Sequence, residues 1–284
     1  KRRPIEDPTI FFEAPKEVLL PDQARAVVPV ENTRFHVPQT PQGRRMRQPE
    51  GRLEHQIRPL TLETGVSRYA EGSVLVKAGF THVLCTASVE KSVPKWLEGK
   101  GKGWITAEYS MLPRATHPRG KRDRVKVSGR TQEIQRLIGR ALRASINLSA
   151  LGEKSILIDC DVIQADGGTR TASITGACVA LGLALRHLER EKLLLQPFTS
   201  VWMESVAAIS VGLKAGQVLV DLDYDEDSSC DVDMNFVATG SGKLVEVQGT
   251  AEKGYFTMEQ MNAMSTAALA ALSNIRKIQE QALA

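Results

Sequence analysis

The chain is poor in the residues that build membrane segments, disulfide frameworks or histidine metal sites. Its 284 residues include only four cysteines and five histidines, and aromatic residues make up 5%. No apolar run reaches about 18 residues, so the sequence predicts no membrane-spanning helix. No stretch combines the charged, apolar and small-residue regions of a secretory signal peptide.

The four cysteines are scattered, and three of them fall within strand or helix patterns. They are Cys85, Cys160, Cys178 and Cys230. None belongs to a Cys-x-x-Cys pair, and the histidines form no spaced cluster. This distribution favours buried free thiols in a reducing, cytoplasmic compartment over a disulfide framework or a zinc site.

Prolines are distributed unevenly, with seven of the thirteen in residues 1–45. No sustained apolar periodicity runs through that segment, which predicts a mobile or loosely draped extension. Its acidic residues are too numerous for a transit peptide. We expect one compact domain over residues 46–284, with Met46 as its natural start.

Two glycines stand where a strand pattern gives way to a helix pattern. Alternating apolar residues predict a strand over 155–163, and apolar residues three or four apart predict a helix from about Ala172. Gly167 and Gly168 let the backbone approach a ligand, and the first amides of the helix suit an anion. Arg170 adds a guanidinium fork suited to phosphate. The alternative is an ordinary capped turn with a surface arginine.

Basic residues are concentrated between Arg114 and Arg143, where only Asp123 and Glu133 oppose them. Residues 114–126 predict a flexible basic loop, and a helix that Ser128 can cap follows it. Such an excess favours nucleic acid over a solvated basic face. Arg130 stands at the start of the helix, where a cation opposes the dipole. A bound anion would resolve that conflict, whereas the alternative is an arginine pointing to water.

Seven acidic residues crowd the segment 221–233. The spacing excludes a calcium loop, because Glu226 occupies the position that requires glycine. A solvated turn and a magnesium site both remain open. Asp227 and Asp233 flank a turn and could converge on one Mg²⁺, which needs only one or two carboxylates beside substrate phosphates.

The remaining patterns predict a mixed α and β chain. Further strands are predicted over 73–77, 81–88, 104–112, 205–213, 217–224, 231–239 and 243–248. A final helix is predicted from Thr257, with Gln260 completing a capping box, to about Ile278.

Several strings, in order along the chain, make the segment from Met46 onward similar to the ribonuclease PH family. These phosphate-dependent exoribonucleases are related to polynucleotide phosphorylase and the exosome ring. The strings are Gly72–Val76, Trp104–Tyr109, Met111–Thr116, Gly129–Thr131, Glu133–Arg140, Ala165–Thr171, Glu226–Ser228, Asp233–Asn235 and Val247–Glu252.

The resemblance implies an α+β fold with duplicated β-α-β-α units, of the type seen in domain 2 of ribosomal protein S5. It implies a homo-hexameric ring built as a trimer of dimers. The implied activity is phosphate-dependent trimming of the 3′ ends of tRNA precursors, with nucleoside diphosphates released.

The resemblance also implies roles for individual residues. Inorganic phosphate is held by Arg130, Gly168, Thr169 and Arg170. Asp227 and Asp233 hold a divalent metal, Mg²⁺, and assist proton transfer. Arg114, Arg119 and Arg122 grip the RNA strand.

The chain departs from the family pattern at residues 1–45, which have no counterpart, and in the loop between Arg119 and Arg130, which is shorter and more charged. Two alternatives stay open: a hydrolytic nuclease that uses the acidic cluster alone, and a catalytically silent ring subunit that only binds RNA.

Overall fold

The structure is a computed structural model that describes Arg47 and residues 51–122 and 127–284. The predicted extension over residues 1–45, the start at Met46, and positions 123–126 of the predicted basic loop lie outside the described residues. The extension and the domain boundary therefore stay predictions.

Five strands form the first sheet. They are β1 (Leu60–Thr64), β2 (Gly72–Ala78), β3 (Thr81–Glu90), β4 (Trp104–Met111) and β5 (Ser155–Gln164). Their order across the sheet is β1-β2-β3-β5-β4. Neighbours are antiparallel except β4 and β5, which are parallel. The predicted hairpin of β2 and β3 is confirmed, whereas β1 was not predicted.

Four strands form the second sheet, which is antiparallel throughout. They are β6 (Val206–Lys214), β7 (Gln217–Val220), β8 (Val232–Thr239) and β9 (Leu244–Ala251). Their order is β7-β6-β8-β9, so β9 is an edge strand.

The described helices complete the predicted α+β class, which is confirmed. They are α1 (Gly129–Arg143), α2 (Leu148–Leu151), α3 (Thr169–Arg190), α4 (Phe198–Val201), α5 (Tyr224–Asp227) and α6 (Met258–Leu283), with a 3₁₀ turn at Lys95–Leu97.

Helix α3 is the central core element and packs against both sheets. It contacts β2 and β3 of the first sheet and β6 of the second. The contact with β2 is so close that a Cβ on Gly176 would lie 2.1 Å from Val76. Among the described residues, α3 alone is long and apolar enough to cross a membrane, but 83% of its apolar window is buried inside the protein. That burial is typical of a core helix.

Four predicted element boundaries are wrong by three residues or more, one of them being the end of the strand predicted over 243–248, which is β9 and ends at Ala251. The strand predicted over 217–224 ends at Val220, because Asp221 has a φ of 58° and cannot continue an extended strand. The chain instead enters α5, which Asp223 and Glu226 start with a capping box. Helix α3 begins at Thr169 rather than Ala172, and α6 continues past Ile278 to Leu283.

Candidate active site

Two helices begin at the same cleft, and each carries an arginine at its second position. In α1 that residue is Arg130, and the Ser128 hydroxyl caps the helix by accepting from the amide of Thr131 at 3.1 Å. In α3 it is Arg170, and the N-cap is Gly168 in the left-handed region, which offers no capping side chain. The first amides of α3 are therefore left for an acceptor from outside the helix.

The glycine turn before α3 is held from beneath by Arg58 and Thr81. Arg58 Nη1 donates to the carbonyl of Asp166 at 2.5 Å, and the Thr81 hydroxyl donates to the carbonyl of Gly167 at 2.6 Å. A Cβ on Gly168 would lie 2.8 Å from Arg58 Nη2. The turn therefore needs glycine for its positive φ of 62° and for this close approach.

Tyr109 supports the first residue of α3. Its hydroxyl lies 2.8 Å from the hydroxyl of Thr169, and both residues are buried. Burial raises the pKa of Tyr109, although Thr169, Arg130 and Arg170 act in the opposite direction. The phenol is therefore neutral, and both arginines are close enough to influence its ionisation.

The guanidinium of Arg170 is tied at one nitrogen. Nη1 lies 3.1 Å from Gln248 Oε1 on β9 and 3.4 Å from each carboxylate oxygen of Glu133 on α1. Gln248 Nε2 donates in turn to Glu133 and to Glu246, at 3.0 Å each. Glu246 Oε2 forms an ion pair with Arg140 Nε at 2.9 Å. This set, Arg170, Gln248, Glu133, Glu246 and Arg140, is called the Arg170 network below.

Two carboxylates face the arginines across the cleft. Asp227 ends α5, and Asp233 lies near the start of β8. Partial burial raises the pKa of Asp227, and Arg130 and Arg170 oppose that rise. Burial also raises the pKa of Asp233, and the charge of Asp227 raises it further. The two carboxylates line the same cleft, where the charge of Asp227 disfavours ionisation of Asp233.

A cluster of three or more His, Cys, Asp or Glu side chains able to hold a metal is absent from the described residues. Asp227 and Asp233 form no ion pair with Lys or Arg within that part of the chain. Two carboxylates that line one cleft without an ion pair fit a hard divalent cation that takes its other oxygen ligands from phosphates and water. The donor set therefore fits Mg²⁺, although a pair alone does not specify it.

The cleft has a volume of about 670 Å³ and brings seven of the nine predicted site residues together. These are Arg122, Arg130, Gly168, Thr169, Arg170, Asp227 and Asp233. Arg114 and Arg119 are exposed on the neighbouring loop but are not among the described residues that line the cleft. The cleft is large enough for a nucleotide unit.

Three acidic residues of the predicted cluster are buried and paired with arginines, so the solvated turn does not describe them; they are Asp221, Asp223 and Glu226. Arg58 Nη2 pairs with Asp221 at 2.7 Å, and Arg52 Nη2 pairs with Glu226 at 3.1 Å. Arg47 also pairs with Glu226. Burial opposes ionisation of Asp221, but Arg58 outweighs it and lowers the pKa of that carboxyl. Arginines thus neutralise part of the negative charge of the acidic segment.

Sequence reasoning missed Arg58, Tyr109, Glu133 and Gln248 as parts of the site. Three of them lie within the strings that carry the family resemblance, namely Tyr109, Glu133 and Gln248. The resemblance marked their positions but assigned them no role. Arg58 pairs with a residue 163 positions away, and no local pattern points to such a contact.

Comparison with known proteins gives matches over most of the chain. The 3′ exoribonuclease family, domain 1, matches residues 56–186, and domain 2 of the same family matches residues 204–271. Ribonuclease PH of Methylocella silvestris is 54% identical over 239 residues, which make up 83% of this chain and 99% of that protein.

Two solved structures have a similar fold. Rrp46 of rice, Oryza sativa, has a TM-score of 0.66 at 19% identity, over 82% of this chain and 99% of that one. A chain of the Archaeoglobus fulgidus exosome, solved with RNA bound to the active site, has a TM-score of 0.67 at 20% identity, over 80% and 90%. At these identities the likeness concerns the fold alone.

Proposed function

Since the chain belongs to the ribonuclease PH family of 3′ exoribonucleases, we propose that the cleft between α1, α3, α5 and β8 is its phosphorolytic centre. The protein is a phosphate-dependent 3′-to-5′ exoribonuclease that acts on tRNA precursors. Inorganic phosphate is its co-substrate. The observation that carries the assignment of the site is the pair of helix N-termini, each with an arginine at its second position, opposite two unpaired carboxylates.

In phosphorolysis a negatively charged nucleophile, inorganic phosphate, attacks a negatively charged phosphodiester. An oxygen of inorganic phosphate attacks the phosphorus of the terminal phosphodiester, and the bond from that phosphorus to the 3′ oxygen of the preceding nucleotide breaks. The products are a nucleoside diphosphate and an RNA one nucleotide shorter, whose 3′ oxygen takes up a proton. Arg130, Arg170 and the first amides of α3 offset the negative charge of the attacking phosphate and hold it in line.

Thr169 and Gly168 complete this phosphate site. Gly168 brings the backbone close to the anion, and Thr169 supplies an amide at the first position of α3. Tyr109 fixes the Thr169 side chain through its hydroxyl contact.

Asp227 and Asp233 would hold Mg²⁺, which supplies stabilisation of the charge that develops on the leaving oxygen. Their positions on α5 and β8 put this negative pair opposite the arginines. The same carboxylates are the candidates for assisting proton transfer to that oxygen.

The RNA strand enters along the basic loop. Arg122 lines the cleft, and Arg114 and Arg119 are exposed beside it, where they can contact phosphates further along the strand. The assembly we propose is a hexameric ring, a trimer of dimers, supported by family membership and by the likeness to exosome chains. A cytoplasmic location is supported by four buried free thiols.

The test is the identity of the released nucleotides. A short RNA is incubated with the protein and Mg²⁺, with and without inorganic phosphate, and the products are separated by chromatography. We expect nucleoside diphosphates that depend on phosphate. Arg170→Ala should keep the fold and RNA affinity but lose turnover.

The hydrolytic alternative makes the opposite prediction. It requires nucleoside monophosphates at a rate that phosphate leaves unchanged, and it gives Arg130 and Arg170 no role. Release of nucleoside monophosphates, or a rate that does not depend on phosphate, would contradict the proposed site. Normal turnover of Arg170→Ala would contradict it as well. The silent-subunit alternative predicts no released nucleotide at all.

A further inference from the structure

We propose that Gln248 and Glu133 are positioning residues for phosphate: they hold one nitrogen of the Arg170 guanidinium and leave its other N–H groups for the incoming anion. The inference rests on the proposed function, because it takes Arg170 as a phosphate ligand. It adds roles for two residues that do not touch phosphate themselves.

The orientation of the Gln248 amide is fixed by the charges around it. Its Nε2 uses both hydrogens, one toward Glu133 Oε1 and one toward Glu246 Oε1. Its Oε1 accepts from Arg170 Nη1. A flipped amide would set its oxygen against two carboxylates and its NH₂ group against a guanidinium, so only one orientation satisfies all three neighbours.

The Arg170 network joins every element that carries the phosphate site. Glu133 lies three residues after Arg130 on α1, so the two side chains are neighbours on one helix face. Glu133 and Gln248 then connect that helix to Arg170 on α3 and to the edge strand β9. Arg140 lies at the far end, in an ion pair with Glu246. The spacing of the two arginine-bearing helices is thereby tied to the second sheet.

Pre-orientation strengthens binding because an arginine side chain loses much rotamer freedom when it is immobilised. A guanidinium that is already held before phosphate arrives loses less freedom on binding. Only Nη1 is engaged within the described part of the chain, so the remaining donors can form a fork for phosphate oxygens.

The charge of Glu133 makes the proposal sharply testable. A carboxylate 3.4 Å from Arg170 Nη1 stands close to the incoming anion. If only net charge mattered, Glu133→Gln would remove a repulsion and lower the KM for phosphate. If orientation matters more, the same change weakens the hold on Arg170 and raises that KM.

The experiment measures initial rates of RNA shortening against inorganic phosphate for Glu133→Gln and Gln248→Met. Gln248→Met keeps the length of the side chain and removes its hydrogen bonds. We expect the KM for phosphate to rise about tenfold in each variant. We expect kcat at saturating phosphate to stay within about twofold, and the KM for RNA not to change. The matched control is Glu63→Gln, which removes an exposed carboxylate paired with Lys77 and should leave all three constants unchanged.

A merely structural role predicts a different pattern, in which the melting temperature and kcat fall while the KM for phosphate stays constant. That pattern, or a lowered KM in Glu133→Gln, overturns the proposal. Arg170→Ala in the same assay distinguishes a failure of the phosphate site from a failure of the positioning role. A normal phosphate KM in Arg170→Ala overturns the phosphate site and the positioning role together. A raised KM there, with unchanged values in Glu133→Gln and Gln248→Met, overturns the positioning role alone.

Discussion

Replacing Asp221 by asparagine should strongly destabilise the fold, because it leaves the charge of Arg58 buried without a counterion. Arg58 is 1% exposed and Asp221 is 5% exposed. The carboxylate accepts from Arg58 three times, through the backbone N–H at 2.7 Å, Nε at 3.1 Å and Nη2 at 2.7 Å. Asparagine is the appropriate replacement because it tolerates the left-handed φ of 58° at this position.

The expected loss is about 3 kcal/mol in the free energy of unfolding. Removing one partner of a buried ion pair typically costs about 3–5 kcal/mol, because the other charge stays buried. The lower end applies because the amide oxygen of asparagine can still accept one hydrogen bond from Arg58. The matched control is Glu63→Gln, which breaks an exposed ion pair with Lys77 and should cost less than about 1 kcal/mol.

Urea denaturation at fixed protein concentration, followed by circular dichroism, gives both free energies. The pH dependence adds a second test, because Arg58 lowers the pKa of Asp221 below its ordinary value of 3.8. The stabilisation from this pair is complete above the ordinary pKa and is lost as the pH falls through the lowered one. The difference between the parent and Asp221→Asn should therefore shrink below about pH 4. A loss under about 1 kcal/mol at neutral pH would refute the reasoning.

Three further changes test the rest of the site. Gly168→Ala and its control Gly216→Ala both force alanine into a left-handed conformation, which should cost about 1–2 kcal/mol in urea denaturation, and Gly168→Ala should cost more because its Cβ also meets Arg58. An equal loss of stability and an equal phosphate KM in the two variants would contradict the close approach at the turn. Asp227→Asn should lower kcat about 100-fold, or about 2.7 kcal/mol, with RNA affinity retained in a filter-binding assay, and a smaller loss than tenfold would exclude the metal role. Arg122→Ala should reduce the slope of log affinity for single-stranded RNA against log salt by about 0.7, and an unchanged slope by fluorescence anisotropy would mean that Arg122 contacts no phosphate.

Local sequence patterns were sufficient for most strands and for the start of the helix that bears Arg130, and they placed the start of the helix that bears Arg170 within three residues. The glycines before Thr169 and the capping serine before Gly129 are short-range signals, since a helix start depends on the few residues around it. For the same reason, the phosphate site could be proposed before any contact was known.

The acidic segment could not be interpreted correctly in the same way. Asp221, Asp223 and Glu226 look alike in sequence to Asp227 and Asp233, yet the first three are buried and the last two line the cleft. The difference depends on Arg47, Arg52 and Arg58, whose partners lie more than 160 positions further along the chain. Contacts between residues so far apart in the sequence produce no local pattern of residue types that could predict them.

The two arginines and the two aspartates proposed for the reaction come from different parts of the polypeptide. The cations Arg130 and Arg170 precede residue 191, and the anions Asp227 and Asp233 follow residue 197, with an exposed connection between. Neither part therefore carries a complete reaction centre. Cleavage of that connection would yield two fragments that are each inactive. The turnover of their mixture would then measure how completely the fragments reassociate.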